Sequence, residues 1–318
     1  DLTVRLNLSA PDIAIVANMS DYPAAIVHAS YDGGDVYARK DEQAEWQILR
    51  KRDPDKQQTL GMIVYDNDHP EKLLIENDWP ERWAAVLHDV ENDSGDGLQA
   101  DPNGWEADYE KRAFLISAAQ DSEDWKWLRY RHFIPDEDDW EAVISDPMLP
   151  FEDEPAAKLI SDFCGYNETQ TSPPFVNRVK TTGEYWVGDL TLDFEIDVQS
   201  VGEDAGLIIE LTEGVRDYQC LVDLNSGKVT LRYFDQILDR QKELESAETS
   251  LLGLGVHRLS FANVDNRLDL GIDGKLIPFP ERGEYSAPAT SIPTRRDLSP
   301  VGIAVRGADV AVAHLKIL

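Results

Sequence analysis

From Val187 to Val198 apolar and polar residues alternate almost without fault: Leu190, Leu192, Phe194, Ile196 and Val198 fall on one face, Thr191, Asp193, Glu195 and Asp197 on the other. A period of two is that of a β-strand with one face on a core and one in water. The same reading predicts strands at Leu207–Leu211, Tyr218–Leu224 and Lys228–Phe234, the last two joined by a turn at Asn225-Ser226-Gly227. From Val256 to Lys275 it predicts a hairpin, Leu259 and Phe261 followed by Leu268, Leu270 and Ile272, with turns at Asp265-Asn266 and Asp273-Gly274. Asn and Asp tolerate the positive φ of tight hairpin turns, and Gly adopts it freely. Val301–Arg306 and Asp309–Leu318 read as closing strands after a loop rich in Pro, Ser and Thr from Gly283 to Pro300. Short strands with turns between them predict an antiparallel sandwich. One interruption is expected at Asp235–Ser250, where Glu, Gln, Lys and Leu favour a crossing loop with a helical turn.

The first half is less regular. Leu2, Val4, Leu6 and Leu8 alternate as a strand, Gly33-Gly34 reads as a turn, and Val36–Arg39 with Trp46–Arg50 as a short pair. Leu60 to Leu74 has helical spacing, which Pro80 stops before a restart at Trp83. β character returns at Arg112–Ala118 and Trp125–Ile134. In the second of these both faces are large, with Trp125, Trp127, Arg129, Arg131 and Phe133 opposite Leu128, Tyr130, His132 and Ile134, as in a strand buried on each side. The hairpin at Val256–Lys275 resembles the back sheet of a concanavalin-like or laminin-G-like β-sandwich. The fold expected is therefore mainly β: such a sandwich over residues 87–318, strands from 112–134 included, with a mixed α+β part over 1–86 packed on it.

Charge narrows the function classes. The 318 residues carry 61 Asp and Glu against 30 Lys and Arg, a formal net charge of −31. So negative a surface repels phosphate backbones and argues against nucleic acid as a partner. Residues 87–155 alone hold 20 Asp and Glu against five Lys and Arg, the composition of a solvated acidic face. No apolar run approaches the roughly 20 residues of a membrane helix, so no membrane insertion by this segment is expected. The chain opens at Asp1 without a leader and closes on Leu315-Lys316-Ile317-Leu318, as would a piece of a longer polypeptide. Cys164 and Cys220 make no metal or redox spacing; they are either one disulfide or two buried thiols.

Candidate chemistry is sparse. No Gly-x-Ser-x-Gly elbow occurs, and the six histidines never take His-x-x-x-His or His-Glu-x-x-His spacing, so neither serine catalysis nor zinc is signalled. Hard cations need several oxygens converging from one loop. Asp66-Asn67-Asp68-His69 supplies them in sequence, which makes Asp66 and Asp68 candidate calcium ligands, the ordinary alternative being a turn or cap. Asn92-Asp93-Ser94-Gly95-Asp96-Gly97 imitates the start of an EF-type loop but has Asn103 where the bidentate Glu belongs. Eight tryptophans offer material for a sugar-stacking platform, with core packing the usual role, above all for Trp127 and Trp186. Acidic residues are plentiful enough for a glycosidase pair, but nothing selects one.

Several fragments in order carry a family resemblance: Gly34-Asp35-Val36-Tyr37, Val64-Tyr65-Asp66-Asn67-Asp68-His69, Pro80-Glu81-Arg82-Trp83, Trp127-Leu128-Arg129-Tyr130-Arg131-His132, Ser161-Asp162-Phe163-Cys164-Gly165-Tyr166-Asn167 and Trp186-Val187-Gly188-Asp189-Leu190. Together they resemble the large extracytoplasmic insert of signal peptidase I-like proteins of planctomycete bacteria. The resemblance implies a non-catalytic accessory domain outside the cytoplasmic membrane, partnered by the peptidase body of the same polypeptide. The family's serine, lysine and Gly-Asp-Asn boxes are absent, so no catalytic residue carries over and this chain is not expected to cleave peptides. The alternatives are a free-standing carbohydrate-binding or adhesion module with a glycan or protein ligand, and a concanavalin-like glycoside hydrolase. No cofactor is called for beyond calcium at Asp66 and Asp68.

Overall fold

A computed structural model describes residues 61–87, 98–117, 124–145, 151, 155–161, 186–249, 253–281, 283–288, 290 and 292–318, with residues 43 and 45 and the strand backbones 13–17, 25–32, 35–39 and 47–48. Four of those strands, β1 (Ile13–Ala17), β2 (Ala25–Asp32), β3 (Asp35–Arg39) and β4 (Gln47–Ile48), pair antiparallel in chain order. The short pair expected around Val36–Arg39 and Trp46–Arg50 is the β3–β4 pairing, with Tyr37 opposite Ile48. The strand expected at Leu2–Leu8, the Gly33-Gly34 turn and the loop from Asn92 to Gly97 lie outside the described residues.

All other described strands belong to one antiparallel sheet folded over on itself. They are β5 (Tyr65–Asp66), β6 (Trp83–Leu87), β7 (Gln99–Ala100), β8 (Glu106–Asp108), β9 (Ala113–Ser117), β10 (Lys126–Tyr130), β11 (Leu190–Glu213), β12 (Arg216–Asp223), β13 (Lys228–Asp235), β14 (Arg240–Glu248), β15 (Gly255–Asn263), β16 (Leu268–Ile272), β17 (Lys275–Leu276) and β18 (Val301–Ile317).

The fold depends on β11 and β18, each long enough to serve both layers. Residues 190–198 of β11 pair with β15 and with the C-terminal half of β18; residues 206–213 pair with β12 and with the N-terminal half of β18. Between the halves the register slips twice, at Val198/Ser200 and Val201/Gly206, and β18 bends at Gly307, whose φ is +62°. Bulges and a left-handed glycine allow a strand to turn a corner from one layer to the other. The first layer runs β14-β13-β12-β11-β18-β10-β6-β7; the second joins β17, β16, β15, β11, β18, β9 and β8, with β5 also on β18. Between them lies one core, in which Leu192, Phe194, Ile196 and Phe261 of the second layer face Leu207, Ile209, Leu211 and Leu231 of the first, all buried. Alternation in the sequence thus became a two-layer antiparallel β-sandwich.

The predicted turns carry the predicted backbone. Asp265 and Asn266 have φ of +53° and +56°, and Asp273 and Gly274 +49° and +74°. Two expectations are corrected. Asp235–Ser250 is not a helical crossing: it is the turn after β13 followed by β14, whose exposed, charged residues have helical propensity but are held extended by pairing with β13. Leu60–Leu74 is not a helix. Its described part is irregular, enters β5, and only Lys72–Glu76 is helical, because Tyr65 and Asp66 are bonded to β18. A helix over Glu137–Ser145 was not read at all; its Trp140 and Val143 pack on Leu74. Among the described residues no helix is long and apolar enough to cross a membrane.

Candidate functional site

Trp127 and Arg129 of β10 point away from the core, while Leu128 and Tyr130 enter it. On that outer face of the first layer the register writes cross-strand rows. Trp127 lies opposite Ala304 of β18 and Val86 of β6, and with Ile208 these form a second apolar cluster. The next row is polar: Arg232 of β13 is opposite Gln219 of β12, Gln219 opposite Glu210 of β11, Glu210 opposite Gly302 of β18, and Gly302 opposite Arg129. A Cβ on Gly302 would sit 3.1 Å from Arg129 Cζ, so the missing side chain makes room for the guanidinium to reach Glu210. Glu210 accepts from Arg129 on one oxygen and from Gln219 on the other, and Gln219 accepts from Arg232 Nε at 2.8 Å. Two strand positions on, Asp217 accepts from Thr212 at 2.8 Å and pairs with Arg296 at 3.0 Å.

This row holds the carboxylates nearest to catalytic chemistry, yet it is closed. Burial alone would raise the Glu210 carboxyl; Arg129 and Arg296, with the bonds from Arg129 and Gln219, outweigh it and keep the group ionised below the usual range. Burial and then the neighbouring Glu210 charge push Asp217 the other way. Both are nearly inaccessible, with exposures of 0% and 3%, and their oxygens are already taken by protein donors. Such a pair organises the sheet; it does not reach a substrate.

The open part of the same face lies two rows away. Trp125, just before β10, lines a cleft of about 260 Å³ with Glu203, Asp204, Asp223, Lys228, Thr230 and Arg306. A Cβ on Gly206 would come within 2.8 Å of Trp125 Cη2, and Arg306 Cζ stands 4.8 Å over the ring, so the indole is fixed between a glycine and a guanidinium. The rim is tied down as well. Asn225 Nδ2 donates to the carbonyls of Gly202 at 3.0 Å and Glu203 at 2.9 Å, and Arg306 Nε to that of Asp204 at 3.2 Å. Slight burial would raise the Asp223 carboxyl, but bonds from Ser226 and Asn225 and the charge of Lys228 hold it below its ordinary value. The cleft therefore presents a fixed, half-exposed indole beside Arg306, with an ionised carboxylate and the exposed Lys228 on its rim.

The residues expected to bind calcium sit elsewhere, at the end of β5. Asp66 pairs with Lys316 at 2.9 Å and His69 at 3.2 Å and accepts from the Asp68 N–H at 3.1 Å; Asp68 pairs with His314 at 2.7 Å. The two carboxylates of this loop thus each meet a basic side chain from β18. Among the described residues no group of three or more His, Cys, Asp or Glu side chains is placed to hold a metal. Cys220 is a free, fully buried thiol whose pKa burial pushes up to about 12, and Cys164 lies outside the described residues. Trp127 is buried in the apolar cluster on the outer face, a packing role; Trp186 is half-buried beside Ser161. Neither the Trp125 cleft nor the Glu210 row was singled out from the sequence. The glutamate inside Leu207-Ile208-Ile209-Glu210-Leu211 was the signal for the second; the first had none beyond a tryptophan among charges.

No family model matches the chain, and no curated sequence matches it. Among solved structures it is similar to carbohydrate binding module CBM66 from Bacillus subtilis, 10% identical over 74% of this chain and 93% of that one, with a TM-score of 0.35. Sheep galectin-11 in complex with glycerol is 14% identical over 42% of this chain and 91% of its own, with a TM-score of 0.31. The galectin LEC-6 of Caenorhabditis elegans is 12% identical over 40% and 82%, with a TM-score of 0.29. Likenesses this distant assign no ligand to the chain.

Proposed function

We propose that this chain is a non-catalytic glycan-binding β-sandwich module whose ligand enters the Trp125 cleft. The observation that carries the reading is the combination in that cleft of a fixed, half-exposed indole with exposed Asp223 and Lys228 and the half-exposed Arg306. Sugars present an apolar C–H face and a rim of hydroxyls. The indole suits the first, and a carboxylate beside cations accepts from and donates to the second. At about 260 Å³ the cleft is just under the range of roughly 300–1,000 Å³ usual for small-molecule pockets, which suits the end of a glycan better than the middle of a polymer. Catalysis is disfavoured because Glu210 and Asp217 are buried and saturated.

Glycan-array screening followed by calorimetry tests this. A glycan ligand should lose at least about tenfold in affinity with Trp125→Ala and be weakened by Gly206→Ala, which drives a methyl into the indole, while both variants keep the parent's circular dichroism. Binding indifferent to both changes would move the ligand off this face. From the resemblance of the ordered fragments we further propose that the module is carried outside the cytoplasmic membrane by a signal peptidase I-like parent. The gene on either side tests that, since a lysine box upstream and a Gly-Asp-Asn box downstream are required.

A further inference from the structure

Among the described residues, buried arginines are neutralised at close range, with one exception. Arg129 meets Glu210 at 2.5 Å, Arg216 meets Asp235 at 3.0 Å and Arg267 meets Asp269 at 2.7 Å. Arg82, only 6% exposed, instead lays its guanidinium over the Tyr65 ring at 4.7 Å and has no carboxylate within ion-pair distance among the described residues. A buried cation without an anion is costly, and unexpected in a chain with twice as many acidic as basic residues. Arg82 lines a cavity of about 30 Å³, and Arg112 lines it too. The nearest carboxylate to Arg112 is Glu81, at a long 3.8 Å. Burial raises the Glu81 carboxyl in spite of the opposing charges of Arg112 and Arg82. The carboxylates of Glu71 and Glu81 line the cavity as well, and so does the Trp79 indole, whose buried N–H finds no acceptor. The other walls are apolar, among them Tyr65, Leu74 and the 41% exposed Ile75.

We infer that this cavity, between β5, the helix Lys72–Glu76 and β6, is a second ligand site that binds the carboxylate of a small acid bearing an apolar substituent. The volume holds two or three water-sized atoms at roughly 10–15 Å³ each, enough for the two oxygens of one carboxylate. Two guanidinium groups and an indole N–H supply the charge-assisted donors such a group takes, and the partly exposed Ile75 offers the substituent apolar surface beyond the small cavity. The site is separate from the Trp125 cleft and does not depend on it.

Titrating the ¹⁵N-tryptophan-labelled chain with benzoate at constant ionic strength, and with benzamide as the uncharged match, tests the inference. Benzoate should saturably shift the one indole N–H resonance that disappears in Trp79→Phe, and benzamide should leave it in place. Arg82→Gln and Arg112→Asn should each weaken binding by about tenfold or more; Asn suits the left-handed backbone at position 112, where φ is +53°, so the fold is spared. Glu81→Gln, which removes the competing carboxylate, should tighten it. N-acetyl-leucine binding above benzoate would identify the source as a peptide C-terminus, and the reverse order a free acid. The inference is overturned if benzoate causes no saturable shift at millimolar concentration, if benzamide shifts the same resonance equally, or if Arg112→Asn binds like the parent while melting at the same temperature.

Discussion

At the scale of single residues, two histidines respond to pH in opposite senses. His132 is buried, bonded to the Tyr130 hydroxyl at 2.8 Å through Nδ1, and burial first, then the charges of Arg82 and Lys158, lower its pKa from 6.5 to about 3. The native state therefore refuses a proton that the unfolded chain accepts below pH 6.5, so stability falls as pH drops from 6.5 towards 3, by at most about 1.4 kcal/mol per unit. His132→Asn keeps an acceptor for Tyr130 and cannot titrate, so urea unfolding at a series of pH values should show the stability gap between parent and variant shrinking as acid is added. Parallel curves would mean that His132 takes up its proton equally in the native and unfolded states. His314 is held above its usual 6.5 by its bond to Asp68, against slight burial. Its stabilisation is complete below pH 6.5 and lost as pH rises through the native value. Histidine NMR should place its titration above 6.5, and Asp68→Asn should bring it back.

At the scale of elements, stability resides in the strands that pair on both edges. Leu192 in β11 and Phe261 in β15 are opposite one another in register and both fully buried. Replacing either with Ala should cost about 2–5 kcal/mol, read as a lower denaturation midpoint at unchanged slope. Unmoved midpoints would place them outside the core. The polar row across β10 to β13 behaves differently. Glu210→Leu alone leaves Arg129 buried without its anion and should cost about 3–5 kcal/mol; the double change Glu210→Leu with Arg129→Met should recover much of that loss. Additive losses in that cycle would show the pair to be uncoupled. β14 shows why an edge strand is hard to read. Its charged face keeps it soluble, and its order comes from β13 and from Glu245, which accepts from the N–H groups of Glu281 and Gly283.

For the whole molecule the net charge of −31 is the dominant long-range force. Self-repulsion opposes the compact state and is screened by salt, so the melting temperature should rise between about 10 mM and 150 mM sodium chloride. Calcium binding at Asp66 and Asp68 requires the ion to displace Lys316 from one and His314 from the other. Melting curves in calcium and magnesium chloride at matched ionic strength are accordingly expected to coincide; a rise confined to calcium would establish the site.

Alternation within one strand is a local property, because successive side chains leave the backbone on opposite sides. Leu190 to Val198, Val256 to Lys275 and the left-handed turn at Asp265-Asn266 were therefore legible in the sequence, and with them the class of fold. Which residues stand side by side across strands is not local. Arg129 meets Glu210 from 81 positions away, Gly206 and Arg306 enclose Trp125 from β11 and β18, and Arg82 shares a cavity with Arg112 only because β5 and β6 join the large sheet. The extended state of β14 was decided in the same way, by a partner strand that outweighed helical propensity. The sequence determined the strands and most of their turns; register, set by two long strands bending through bulges and Gly307, decided which side chains meet to form a site.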